Sequence, residues 1–352
     1  MIMKKITIFL VAFFSFVALS KSQIDTSSMI LVAAGQDAEI TYNQALQSYS
    51  EGKYQIAIQE FSQAIVTNPN FEQAYFNRAN ARMEVANYEG AIEDFTKAIN
   101  LDPSNEKSFF GRGYAKVNVE KYKESLEDFK VAVELGYSEA KVYYYEGVAK
   151  FKLEDYLGAV ESFNKAIAID ANYAYAYNDR GSCRRMLNQN EMALADYNKS
   201  IELNSKLSFV YNNRGSIKSI LNDNEGALKD YNQAITLSPE YYVAYNNRGT
   251  LKFKMENYKG AEEDFLSATK YNPLYSWAFN NMGTARMKQE KYTEAIEAYT
   301  KAIEIDPAYG EAYANRGSAK EMLREFKAAC YDWEKAVQLG VHDARSFLED
   351  CK

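Results

Sequence analysis

The stretch that decides the fold is residues 276–309, SWAFNNMGTARMKQEKYTEAIEAYTKAIEIDPAY. The 34 residues before it, 242–275, repeat its spacing of small, aromatic and proline positions. All five prolines of the chain share this register, because the gaps between neighbours are 34 or four times 34 residues. They are Pro69, Pro103, Pro239, Pro273 and Pro307. A fixed period of this length predicts a repeat array, in which each unit buries its apolar face against its neighbours.

Nine gap-free repeats fit this register when the prolines are placed at position 32, and they cover residues 38–343. Position 8 is glycine or alanine in every repeat, position 20 is alanine or serine, and position 24 is aromatic. Around Phe95 the apolar residues follow helical spacing, and no strand alternation occurs. We therefore expect two helices of about 14 residues per repeat, termed the A helix and the B helix, with a turn near positions 15–17. The proline at position 32 is expected to end the B helix.

This pattern closely resembles the tetratricopeptide repeat family. The resemblance implies an all-α fold, a right-handed superhelical α-solenoid of about nine helix-turn-helix units. It also implies that positions 2, 5, 6, 9, 12 and 13 of the A helices face a concave groove. The chain departs from the family at position 32 of four repeats, which leaves the ends of their B helices open. The residues at this position are Tyr137, Ala171, Ser205 and Val341.

The residues after the array predict a cap. Ala344, Phe347, Leu348 and Cys351 recur at i, i+3, i+4 and i+7. Terminal repeats of solenoids need a covering element. We therefore expect a short C-terminal capping helix over residues 344–352.

A charge pair is written into six of the repeats. Each of these has arginine at position 7 and aspartate at position 23, and the other three repeats have neither. Because antiparallel helices place these positions opposite each other, we predict an Arg–carboxylate pair inside each unit. The pairs are Arg78–Asp94, Arg112–Asp128, Arg180–Asp196, Arg214–Asp230, Arg248–Asp264 and Arg316–Asp332. Lysine or arginine at position 11 of repeats two to nine is interpreted as local neutralisation, with recognition of an acidic ligand as the alternative.

The A helices supply the candidate binding residues. The asparagines are Asn77, Asn178, Asn212, Asn213, Asn246, Asn247, Asn280, Asn281 and Asn315. The aromatic residues are Phe76, Phe110, Tyr144, Tyr175, Phe209 and Trp277. A row of asparagines can hydrogen-bond an extended peptide backbone without reading its sequence. The row resembles the asparagine ladder of the repeat domain in O-linked N-acetylglucosamine transferase. The alternatives are that the asparagines are solvated or cap and space neighbouring helices, and that Tyr175, Phe209 and Trp277 pack on the preceding repeat.

Catalysis is not expected, because we find no converging set of nucleophile, base or paired carboxylates. The only histidine is His342, expected in an exposed loop, and the three cysteines have no metal-binding spacing. We therefore expect no catalytic residue, no metal and no cofactor. Cys330 and Cys351 could pair near the C-terminal end of an exported protein, but separate thiols are the simpler interpretation. We interpret Cys183 as a small buried residue.

The N-terminus is typical of a secretory signal peptide, which we place at residues 1–22. Lys4 and Lys5 precede the run 6–19, which is almost wholly apolar. As a helix this run would span about 21 Å, short of the roughly 30 Å of a bilayer core, so we expect cleavage and no membrane span in the mature chain. Loss of three lysines and no acid would move the formal net charge from −7 to −10. That charge argues against nucleic acid as the partner. Residues 23–37 receive no assignment.

These observations lead to one functional hypothesis and two alternatives. We expect an exported, periplasmic or extracellular scaffold that binds partner proteins or extended peptides in its groove, in cell-envelope assembly. One alternative is a substrate- or glycan-handling accessory subunit whose aromatics stack on sugars. The other is an architectural spacer that binds neighbours through its convex surface. The sequence favours no particular oligomeric state.

Overall fold

A computed structural model describes residues 36–351, which fold into α-helices followed by one 3₁₀ helix. The predicted signal peptide and nearly all of residues 23–37 lie outside this range. The A helices are α1 (Gln36–Ser50), α3 (Glu72–Glu84), α5 (Glu106–Asn118), α7 (Ala140–Lys152), α9 (Ala174–Met186), α11 (Ser208–Ile220), α13 (Tyr242–Lys254), α15 (Ser276–Met287) and α17 (Gly310–Met322). The B helices are α2 (Tyr54–Thr67), α4 (Tyr88–Leu101), α6 (Tyr122–Glu134), α8 (Tyr156–Ile169), α10 (Asn190–Leu203), α12 (Asn224–Leu237), α14 (Tyr258–Tyr271), α16 (Tyr292–Ile305) and α18 (Phe326–Gln338). The 3₁₀ helix is His342–Cys351.

The described residues form two compact units, of which unit one ends at Asn188 and unit two begins at Gln189. Inside each unit every helix packs against the next one, and consecutive A helices also touch each other. The A helices of a unit therefore share one face. This is the helical repeat architecture expected of a solenoid, and the all-α prediction is confirmed.

The turn from A helix to B helix is the same in all nine repeats. Its residue at position 15 adopts positive φ, which is 76° at Gly52, 57° at Ala86 and 64° at Asn222. The next N–H then bonds back to position 11, as from Asp223 to the carbonyl oxygen of Lys218 at 2.9 Å. This is the hydrogen-bond pattern that ends a helix in a left-handed residue.

Position 31, rather than the proline at position 32, ends most B helices. Helices α8 and α10 stop at the same register position as the proline-containing repeats, although alanine or serine follows. Asp170 and Asn204 there leave the helix in extended conformation. Their Oδ1 atoms accept hydrogen bonds from the backbone N–H groups of Asn172 at 2.9 Å and Lys206 at 3.0 Å. In these two repeats an Asx turn therefore ends the B helix, a role that the sequence pattern predicted for proline.

Two B helices end on glycine instead. Gly136 and Gly340 occupy position 31 of repeats three and nine and have φ of 105° and 92°. The N–H groups of Tyr137 and Val341 then bond to carbonyl oxygens five residues back, at 2.9 Å in both cases. This explains why α6 and α18 have 13 residues where most other B helices have 14.

The small residue at position 8 makes room for the aromatic ring at position 24, as predicted. A Cβ atom added to Gly249 would lie 2.8 Å from Cε1 of Phe265, too close for any carbon contact. Ala261 and Ala285, the latter from the next A helix, complete the same buried cluster. Each joint is thus a close-packed layer of one ring and several small side chains.

The C-terminal cap differs in two ways from the prediction. It is a 3₁₀ helix that already begins at His342, an exposed residue, so the predicted loop there is absent. Phe347 stacks on Trp333 with ring centroids 5.1 Å apart. Cys330 and Cys351 are joined by a disulfide with Cα atoms 5.8 Å apart, so the simpler interpretation of separate thiols was wrong.

Candidate functional site

The Arg–Asp pairs occupy the interior of the repeats. In α13 and α14, Arg248 donates to Asp264 through Nε at 2.9 Å and Nη2 at 2.6 Å. The side chain of Asp264 is 4% exposed. The prediction is confirmed for the five pairs that lie within one unit. The sixth, Arg180 with Asp196, joins residues from different units and stays a prediction.

The cations at position 11 bind the same aspartates. Lys252 lies 2.8 Å from Asp264, and four more repeats repeat this contact between 2.7 and 3.0 Å. The interpretation as local neutralisation is confirmed for these five. In repeat eight, where position 7 is a methionine, Arg286 instead reaches Glu262 of the preceding repeat at 2.8 Å. These positive charges therefore form ion pairs inside the protein and do not make up a free anion-binding stripe.

The arginines also bind the preceding repeat, which the sequence reasoning missed. Arg248 Nη1 donates to Oδ1 of Asn232, at position 25 of repeat six, at 2.6 Å. A signal was present, because position 25 carries a hydrogen-bonding residue before every repeat that has the arginine. Before repeat eight, position 25 is Leu266 and position 7 is Met282. Each of the five arginines paired within one unit thus contacts three helices and sets the spacing between repeats.

Positions 5 and 6 form hydrogen bonds between consecutive A helices. Within unit two, Asn247 Nδ2 donates to Asn212 Oδ1 at 2.9 Å, and Asn281 Nδ2 to Asn246 Oδ1 at 3.0 Å. Asn315 and Asn280 repeat the bond at 3.0 Å. Unit one uses tyrosine at position 5, with Asn77 donating to Tyr42 and Tyr144 donating to Asp179. These bonds link neighbouring A helices, as the alternative interpretation of the asparagines expected.

The structure separates the predicted site residues into buried and accessible ones. Six of them are buried and do not reach the surface: Phe110, Tyr144, Asn178, Asn212, Asn246 and Asn280. Eight are half-buried: Phe76, Asn77, Tyr175, Phe209, Asn213, Asn247, Asn281 and Asn315. Trp277 is 40% exposed. Position 5 of repeats three to eight is buried between consecutive A helices and does not face a ligand, whereas ligand binding by position 6 stays a prediction.

The aromatic side chains on the A helices of repeats two to four, here termed the aromatic zone of unit one, pack largely against other rings of the same unit. Phe110 stacks on Tyr137 at 4.8 Å, and Tyr144 contacts Tyr173 at 4.8 Å. The burial of Phe110 and Tyr144 removes the two central rings that would stack on a sugar. These two rings therefore pack on rings of their own repeats.

Asp179 is the one buried carboxylate among these A-helix positions. Burial raises its pKa to about 6, although hydrogen bonds from Tyr144 at 2.8 Å and Asn178 at 2.9 Å partly oppose the rise. The same burial raises the pKa of the Tyr144 phenol well above its usual value. The tyrosine therefore remains the donor to Asp179.

The surface left for a ligand in unit two is made of positions 2, 6, 9 and 13 of α11, α13, α15 and α17, here termed the groove face. Position 6 contributes the four half-buried asparagines and position 2 contributes Trp277. Thr250 at position 9 is exposed. Lys254 and Lys288 at position 13 are exposed as well and give the face a weakly positive edge. This arrangement suits hydrogen bonding to an uncharged backbone better than ion pairing.

The described residues, 36–351, contain no cluster of histidine, cysteine, aspartate and glutamate that could hold a metal ion. Among the same residues, the helices fall short of the length and apolarity that a bilayer crossing requires.

Family models named tetratricopeptide repeat match residues 72–105 and 276–309, residues 110–174, and residues 174–207, 210–241 and 242–273. Together with the helix pairs and the register described above, these matches show that the chain belongs to the tetratricopeptide repeat family. Proteins of this family are generally interaction scaffolds and not catalysts. A comparison with curated proteins found no match.

Two solved structures with TM-scores above 0.5 show the same fold. A tetratricopeptide repeat protein from Parabacteroides merdae is 16% identical, with 71% of this chain and 99% of that chain covered and a TM-score of 0.58. Cut9–Hcn1 of the APC/C is 13% identical, with 89% and 76% covered and a TM-score of 0.58. YrrB, a TPR protein with an unusual peptide-binding site, is 27% identical, with 52% and 95% covered and a TM-score of 0.45.

Proposed function

We propose that this chain is a non-catalytic scaffold that binds extended segments of partner proteins along the groove face of unit two. The observation that carries the proposal is the hydrogen bonding of the asparagines at position 6. Asn247, Asn281 and Asn315 each donate one N–H to the preceding repeat, and among the described residues their Oδ1 atoms receive no hydrogen bond. A regular row of oriented amides is thereby left for a ligand.

The rest of the structure supports this location. The charged side chains at positions 7, 11 and 23 form ion pairs with one another inside the repeats, so they are not available for ion pairs with a ligand. The aromatic zone of unit one is mostly packed internally. The groove face of unit two combines amides that can hydrogen-bond a peptide backbone with an exposed indole, a side chain that is enriched in protein interfaces.

We further propose that the protein is exported and works in the cell envelope. The signal-like segment at residues 1–22 supports export, and the Cys330–Cys351 disulfide is of the kind that persists in oxidising compartments. The test is the intact mass of the protein recovered from its native cells, with and without thiol alkylation. A mass that retains residues 1–22, together with two alkylatable thiols at Cys330 and Cys351, would contradict export.

Binding is tested by co-purification with a triple variant, Asn213→Ala, Asn247→Ala and Asn281→Ala. We expect the variant to lose partners that the wild type retains. The matched control changes the exposed position 18 of the same three repeats, as Glu225→Ala, Lys259→Ala and Thr293→Ala. The control should retain all partners.

Both variants must first show the helicity of the wild type by circular dichroism, because each asparagine also bonds to its neighbouring repeat. Identical partner lists from the wild type and the asparagine variant would refute binding through this face. Loss of partners from the control variant alone would move the interaction to the outer surface, as the spacer alternative requires.

A further inference from the structure

The groove face of unit two has a pitch that can be compared with the backbone repeats of possible ligands. Consecutive A helices in this unit touch, and their side chains are joined by hydrogen bonds of 2.9 to 3.0 Å. Helices in direct contact have axes about 8–10 Å apart. Side chains at the same position of successive A helices therefore recur about every 9 Å.

The inter-repeat bonds also fix how these amides point. Asn247, Asn281 and Asn315 each donate one N–H to the asparagine at position 5 of the preceding repeat. This common bond holds the three amides in one orientation. A ligand must therefore present equivalent backbone groups on one side, about every 9 Å.

A β-strand does not meet this requirement. It rises about 3.3 Å per residue, and successive residues point to opposite sides. Equivalent groups on one side of a strand therefore recur about every 6.6 or 13 Å, and the residue near 10 Å points away from the asparagines. A polyproline II helix rises about 3.1 Å per residue with three residues per turn, so equivalent groups recur about every 9.3 Å on the same side.

We propose that the groove face binds polypeptide in the polyproline II conformation, with one asparagine for every three residues of the ligand. This inference rests on the proposed function and specifies the ligand class that the same surface takes. The third residue of each turn must keep its N–H, because the free Oδ1 atom is an acceptor. The ligand is therefore a proline-containing segment with a non-proline residue at every third position.

The aromatic side chains beside the row fit this ligand. Trp277 at position 2 is 40% exposed, and its ring lies 5.5 Å from that of Tyr309, which begins the approach to the next A helix. Exposed aromatic rings line the grooves in which proline-rich segments dock in other recognition modules. Tyr309 is half-buried and supports the indole from the side, so Trp277 is the exposed ring of the groove face. Trp277 lies in the same helix as Asn281, and we expect it to contact the prolines next to the hydrogen-bonded residue.

The test uses fluorescence anisotropy with the full chain after removal of residues 1–22. The probe is (Pro-Pro-Ala)₄, and the control of identical composition is Pro₈Ala₄, which places its N–H groups out of register. We expect the probe to bind about tenfold more tightly, which corresponds to one or two hydrogen bonds. A third peptide, (Thr-Val)₆, favours a strand and should bind more weakly than the probe.

The preference should disappear in the variant Asn247→Ala/Asn281→Ala and persist in Lys259→Ala/Thr293→Ala, which alters the outer surface. Equal binding of probe and block peptide, or stronger binding of the strand-forming peptide, would overturn the inference. If no peptide binds while the asparagines still govern co-purification of partners, the polyproline II inference fails and the proposed function stands. If co-purification does not depend on the asparagines, the proposed function fails.

Discussion

The substitution Asp230→Ala removes the centre of one charge cluster. Asp230 is 4% exposed and accepts bonds from Arg214 at 2.8 and 2.7 Å and from Lys218 at 2.9 Å. Its removal leaves two cations side by side at sites that are only 18% and 20% exposed. Breaking a buried pair in this way typically costs about 3–5 kcal/mol. We expect a loss of that size in the free energy of unfolding of unit two, measured by urea titration followed by circular dichroism.

The chain itself supplies the control. Repeat eight has Met282 and Ala298 at the two positions and buries both. The double variant Arg214→Met/Asp230→Ala should therefore recover part of the lost stability, because only Lys218 is then left without its carboxylate. Glu304→Ala removes an exposed ion pair to Lys301 and should cost less than about 0.5 kcal/mol. A change of under about 1 kcal/mol for Asp230→Ala, with no recovery in the double variant, would refute the reasoning.

Three further predictions concern stability. The raised pKa of Asp179, about 6, means that the folded state holds its proton more tightly than the unfolded state. The free energy of unfolding of unit one should therefore fall as pH rises from about 4 to 6 and stay low above. The variant Asp179→Asn should abolish this contribution to the slope and stabilise unit one at pH 7.5 by on the order of 1–3 kcal/mol, measured in thermal melts. Ala86→Gly should stabilise by about 0.5–1 kcal/mol, because φ is 57° there, whereas Ala81→Gly inside a helix should destabilise. Cys330 and Cys351 are 21 residues apart in sequence, so reduction of their disulfide should lower the free energy of unfolding by about 3 kcal/mol. It should also raise hydrogen exchange in the 3₁₀ helix, and unchanged exchange would contradict a role of the disulfide in holding that helix.

Much of the fold follows from the sequence because each repeat places the same residues in the same environment. The glycine at position 8 and the ring at position 24 are complementary in size, and the arginine and aspartate occur or disappear together. Such pairs lie inside one helix hairpin, where helical geometry alone brings them together. Contacts inside a repeat could therefore be predicted without a structure.

Contacts between repeats were harder to predict. Asn246 and Asn247 are adjacent in sequence and chemically identical, yet one is 7% exposed and the other half-buried. Adjacent residues of a helix point about 100° apart, so only one of the two enters the contact with the next A helix. Which one does so depends on how consecutive A helices are oriented, and the sequence pattern does not encode that directly. The disulfide was missed for a similar reason, because the bond requires the residues after α18 to fold back along it.

The most direct test of binding through the groove face leaves every asparagine in place. A photo-crosslinking amino acid is introduced at Thr250, which is exposed on the groove face, and in a separate protein at Thr293, which is exposed on α16. Both proteins are irradiated in their native cells, and crosslinked partners are identified by mass spectrometry. Our account predicts a specific partner crosslinked at Thr250 and absent at Thr293. The same partner captured at Thr293 and absent at Thr250 would contradict it.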